Sequence, residues 1–74
     1  MIKDVYVNYP EPDKLYRHYK GGLYKIISLA THTETGEKLV VYSSVLFGSV
    51  YVRPLSIWSS TVEGTLQDRF WLEE

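Results

Sequence analysis

The sequence has no cysteine, so neither a disulfide nor a thiolate zinc site can brace whatever core it forms. It also has no dominant sign of charge. Eight Lys and Arg against nine Asp and Glu leave a formal charge of -1, which excludes a global field attracting nucleic acid or anionic membrane and restricts either to a local patch. No apolar stretch approaches the ~20 residues that cross a bilayer as a helix. The start, Met1-Ile2-Lys3-Asp4, carries no basic segment followed by an apolar run. A cytoplasmic protein without membrane contact is the expectation. From Leu15 onward no window places apolar residues at i, i+3, i+4 and i+7, which argues against amphipathic helices.

What is present is aromatic and β-branched. Hydrophobic residues make up 45% of the 74, with seven Tyr, two Trp and two Phe, the composition of a folded domain. A chain this short forms one domain and buries only about 60% of the surface its unfolded form exposes, so the core is thin. Short runs rich in Tyr, Val, Ile and Leu are separated by glycine-bearing turns. The run 15–20 meets Gly21-Gly22, a dipeptide suited to a two-residue hairpin turn. The return run, 23–31, is apolar on both faces, as a twisting strand in a small barrel would be. Gly36 supplies a left-handed position for a second hairpin loop, and the run from Lys38 to Val45 follows. Gly48 precedes a fourth strand, Val50-Tyr51-Val52-Arg53, which Pro54 ends because it has no backbone donor. Leu55-Ser56-Ile57-Trp58 reads as a short 3₁₀ turn directing Ile57 or Trp58 inward. The tail around Phe70-Trp71-Leu72 can complete the sheet.

Five or six short antiparallel strands are too little for a two-layer sandwich, whereas closing the sheet removes its edges. The expected fold is therefore all-β, a small SH3-like antiparallel barrel over residues 15–74 preceded by an N-terminal arm, 1–14, with a short strand at Val5-Tyr6-Val7. An open curled sheet that pairs with a second copy is the alternative.

A set of short motifs runs through the same region: Tyr16-Arg17-His18-Tyr19-Lys20-Gly21, Ala30-Thr31-His32-Thr33-Glu34-Thr35, Leu39-Val40-Val41-Tyr42, Val52-Arg53-Pro54-Leu55 and Arg69-Phe70. From about Leu15 to Phe70 the chain resembles a bacterial family, domain of unknown function 1653. The resemblance implies a compact β fold and no particular chemistry. The chain departs from that pattern at Leu46-Phe47-Gly48-Ser49-Val50, where relatives tend to carry an aromatic-glycine turn.

Candidate site residues are few. His18 and His32 with Glu34 and Glu37 contain metal-binding donor types, yet their spacing matches no compact ligand motif, and no metal or cofactor is expected. No serine lies in a nucleophile elbow. His32 and Glu34, one residue apart on a strand, would share a face and could act as acid and base, which makes a small enzyme the rival reading. Basic residues interleave with Tyr16, Tyr19, Tyr24, Tyr42 and Tyr51, a mixture that single-strand binders use, although strands favour tyrosine for packing alone. Any nucleic-acid binding is expected to be weak and salt-dependent. The favoured reading is a binding or accessory module in which His18, Lys20, His32, Glu34, Tyr42 and Arg53 recognise an anionic or nucleotide-like ligand or a protein partner. A homodimer formed through an open edge strand is a third reading.

Overall fold

The computed structural model describes residues 10–73. Its elements are β1 (Leu15–His18), β2 (Leu23–Thr31), β3 (Lys38–Ser44), β4 (Val50–Pro54), the one-turn helix α1 (Leu55–Trp58) and β5 (Phe70–Leu72). All pairings are antiparallel, and the strands form one sheet in the order β4-β3-β2-β1-β5. The strand expected at Val5-Tyr6-Val7 lies outside the described residues. Asp13 and Lys14, read as the end of the arm, are tied to β2: the Asp13 N–H donates to the Ile26 carbonyl at 2.9 Å and the Ile26 N–H to the Lys14 carbonyl at 3.0 Å.

Three hairpins build the sheet, and the first differs in detail from what composition suggests. In the β1–β2 hairpin the Gly21 N–H donates to the His18 carbonyl and the His18 N–H to the Gly22 carbonyl, so the loop is Tyr19-Lys20-Gly21 and not Gly21-Gly22. Only Gly21 has positive φ, at 106°, the conformation a side chain would strain. Gly22 has a different reason to be glycine. A Cβ there would come within 2.8 Å of the Tyr24 ring.

The β2–β3 and β3–β4 loops share one design. Gly36 and Gly48, each with φ 76°, sit four residues after His32 and Ser44 and donate to their carbonyls at 2.9 and 2.8 Å. A side-chain acceptor on each of those first residues closes the turn: His32 Nδ1 accepts from the Glu34 N–H, and Ser44 Oγ from the Phe47 N–H.

β2 carries a bulge. Ile26 pairs with Tyr42 and Ser28 with Val41, leaving Ile27 as the extra residue. The bulge bends the strand and shifts its register on β3 by one residue, so Leu29 lies opposite Val40, while Ile27 and Leu29 both remain exposed.

The closed barrel is not formed. β4 and β5 are edges with no ladder between them. The physical reason lies at Pro54, which ends β4 and leads directly into α1, while β5 is only three residues long and pairs with β1. Side chains span the gap where a ladder would run. Helix α1 is α rather than 3₁₀ and buries Leu55 and Trp58, whereas Ile57 is exposed. Trp58 stacks on Phe70 at 3.7 Å with 7° between the ring planes. Ile26, Val40, Tyr42, Leu55, Trp58 and Phe70 form the core, and Tyr16 and Tyr24 pack against it. The sheet is therefore an open, curled, five-stranded antiparallel sheet with its core on the concave side. No helix among the described residues is long and apolar enough to cross a membrane.

Candidate functional site

Curling brings the two edge strands together across the concave face. Arg53 on β4 places its guanidinium 5.2 Å from the centre of the Phe70 ring on β5. The His18 imidazole on β1 lies 4.7 Å from the same ring. Tyr24, Tyr42 and Tyr51 continue this surface, with Tyr24 5.3 Å from Tyr42 and 6.3 Å from Tyr51. The edge-to-face angles of most of these pairs suit the ring quadrupoles.

The electrostatics of this surface are one-sided. The His18 pKa is lowered first by burial, then by the positive charges of Arg53, Arg69 and Lys20. His18 Nδ1 accepts from the Lys20 N–H at 3.2 Å, which leaves Nε2 to carry the proton of the neutral ring. Arg69 and Lys20 both approach the Tyr19 ring, each at 5.8 Å. In a chain with net charge -1, three cations thus act on the one imidazole of this surface.

The three arginines differ in how they are engaged. Arg17 makes a two-pronged contact with Glu73, at 2.9 and 3.4 Å, and also donates to the Gly21 carbonyl, so the Glu73 carboxyl is held below the usual range. Arg69 donates to Ser60 Oγ and the Thr61 carbonyl. Arg53 has no hydrogen-bond or ion-pair partner among the described residues. Its contact is the face of an aromatic ring, which uses none of the guanidinium's N–H donors.

The six candidate residues divide into two groups. His18, Tyr42 and Arg53 face the concave surface, with Lys20 at its rim in the β1–β2 loop. His32 and Glu34 sit in the β2–β3 loop at the far end of the sheet. The register separates them: Tyr42 lies opposite Ile26 and Tyr51, not opposite His32 and Arg53. His32 Nδ1 accepts from the N–H groups of Glu34 and Thr35, at 3.1 and 3.4 Å, so the imidazole closes its own turn. Glu34 enters this arrangement through its backbone. Tyr42 itself is only 4% exposed and forms the floor, not the rim. No group of three or more His, Cys, Asp or Glu among the described residues could hold a metal ion.

Phe70 and Arg69 were not legible as site residues, because they reach the face only when β5 docks on β1. Tyr51 was within reach of the sequence. It lies two residues before Arg53 on the same strand and so shares its face.

A cavity of about 530 Å³ adjoins the aromatic surface at the end of the sheet, between the β1–β2 and β3–β4 loops. Its walls include Gly22, Tyr24, Ser44, Leu46, Phe47 and Tyr51.

Comparison with known proteins places the chain. The family model described as "Protein of unknown function (DUF1653)" matches residues 14–72. The chain belongs to the DUF1653 family. It is similar to a DUF1653 protein from Bordetella bronchiseptica whose crystal structure is solved, with 37% sequence identity, a TM-score of 0.68, and coverage of 81% of this chain and 83% of that one. No curated protein matches it. The DUF1653 match spans β1 to β5 and so includes every residue of the concave face named above.

Proposed function

We propose that this DUF1653 domain is a binding module whose concave face takes an anionic ligand, with Arg53 and His18 as its main contacts. The observation that carries this reading is the guanidinium of Arg53, without a hydrogen-bond or ion-pair partner among the described residues and held over Phe70 near His18, where the charges that act on the imidazole are positive. A planar guanidinium presents its donors in a fork that matches carboxylate and phosphate oxygens. Phe70 fixes its position without consuming those donors, and Pro54 pins the backbone that follows. Arg69 and Lys20 add charge at the rim, and the site's small size keeps any attraction local and sensitive to salt.

The test is an NMR titration of the full chain with inorganic phosphate. Saturable shifts confined to His18, Arg53, Phe70 and Tyr24 are expected, weakening steeply as ionic strength rises. Shifts scattered over surface lysines without saturation would refute the reading.

One further feature supports a second reading, association of two copies. The outer edge of β4 carries Val50, Tyr51 and Val52, all exposed, with no charge among them to discourage strand addition. Mass measured by sedimentation over a range of concentration tests it, and a monomer throughout would exclude it.

A further inference from the structure

We infer that the cavity at the end of the sheet receives a planar aromatic ring joined to the anionic group, so that the ligand has the chemistry of a nucleoside monophosphate. This rests on the anion-binding reading of the concave face and extends it to the rest of the ligand. Four observations support it. The cavity, at about 530 Å³, lies within the ~300–1,000 Å³ of small-molecule sites. Its wall is continuous with the cationic surface, because Tyr24 lines the cavity and also lies 6.4 Å from His18 and 6.2 Å from Phe70. Tyr51, also in the cavity wall, lies on the same strand as Arg53 and two residues before it.

The third observation is the β3–β4 loop. Val45, Leu46 and Phe47 are 51%, 80% and 78% exposed, three consecutive apolar residues at a turn where polar ones are the rule. Leu46 and Phe47 form the wall across from Tyr24. Apolar side chains held out in water beside an aromatic-lined cavity gain burial only when something flat and apolar fills it. The fourth is Gly22, where a side chain would press on the Tyr24 ring. Its absence leaves Tyr24 in place as a stacking face. Arg17, at the same cavity, is already paired with Glu73 and does not draw the anion to this end.

NMR titration of the full chain with AMP, adenosine and inorganic phosphate, alongside Phe47→Ser, tests the inference. Phe47 is exposed, so the variant folds, which its circular dichroism verifies. Stacking of a base on aromatic side chains should make AMP bind about tenfold or more tighter than phosphate. Phe47→Ser should reduce that advantage several-fold while leaving phosphate affinity unchanged. If AMP and phosphate bind equally to the unaltered protein, or if Phe47→Ser leaves the advantage intact, the ring site is wrong and the anion site stands. If adenosine binds as tightly as AMP, the cavity takes the ring with no link to the cations, and the inference falls. If none of the three binds, both the anion site and this inference are overturned.

Discussion

Arg53 and Phe70, from the two opposite edge strands of an open sheet, meet with the guanidinium 5.2 Å from the ring centre. The contact takes the place of a β4–β5 ladder and draws the two sheet edges together. It also sets the cation where its charge acts on His18, with no hydrogen-bond partner among the described residues. The two partners nevertheless contribute differently to stability, and that difference is measurable.

Phe70 is buried, stacked on Trp58 and in contact with Tyr24 and Tyr42. Phe70→Ala should cost about 3–5 kcal/mol, most of the stability of a domain this small. Arg53→Ala removes a half-exposed cation–π contact and should cost only about 0.5–1 kcal/mol. Chemical denaturation of both variants checks the ratio. Equal losses would make Arg53 a structural residue.

His32 supplies an acceptor to its own turn, as Ser44 does in the next. His32→Ala should therefore lose about 1 kcal/mol, the usual worth of such a hydrogen bond. His32→Asn should restore most of it, because an asparagine oxygen closes the same kind of turn. Thermal melts distinguish this from a binding role, in which Asn would rescue nothing.

Glycine substitutions separate steric from conformational demand. Gly36→Ala meets open space but must adopt φ 76°, a strain of about 1–2 kcal/mol. Gly22→Ala has no such φ and instead collides with Tyr24 at 2.8 Å, an overpacking cost of about 1–3 kcal/mol. Only Gly22→Ala should move the Tyr24 ring resonances in an NMR spectrum, since the two sites lie at opposite ends of the sheet.

The pH dependence follows from His18. Its pKa is lowered in the folded chain by burial and by Arg53, Arg69 and Lys20, so the unfolded chain takes up the proton first as pH falls. The contribution of His18 to stability is complete above its ordinary pKa near ~6.5 and is lost as pH falls through the lower folded value. Denaturation midpoints from pH 7 to 5 should show this decline, and His18→Gln should remove it. Anion binding has the opposite sign: a bound phosphate favours imidazolium, so the His18 resonances should titrate at higher pH in the complex.

The strands, the turns at Gly36 and Gly48 and the end of β4 at Pro54 were legible in the sequence because period-two alternation and turn chemistry are local. Closure was not. Whether β5 pairs with β1 alone or also with β4 depends on α1 filling the gap with Leu55 and Trp58, a tertiary outcome. The β2 bulge at Ile27 was hidden for a related reason: an extra residue in one strand shows only against the partner strand it pairs with. Of the candidate site, His18, Tyr42 and Arg53 were placed together by strand alternation once the sheet formed. His32 and Glu34 were separated from them because the hairpin register puts their loop at the other end. The aromatic ring that joins His18 to Arg53 came from a segment some fifty residues from one and seventeen from the other.

The most direct test of the central claim is phosphate affinity measured by NMR titration for the unaltered chain and for Arg53→Gln, which keeps a polar side chain of similar reach without the charge. A charge-assisted hydrogen bond is worth about 1.5–3 kcal/mol, so Arg53→Gln should bind roughly 10- to 100-fold more weakly while its melting temperature stays close to that of the unaltered protein. Undiminished phosphate affinity in Arg53→Gln would contradict the account.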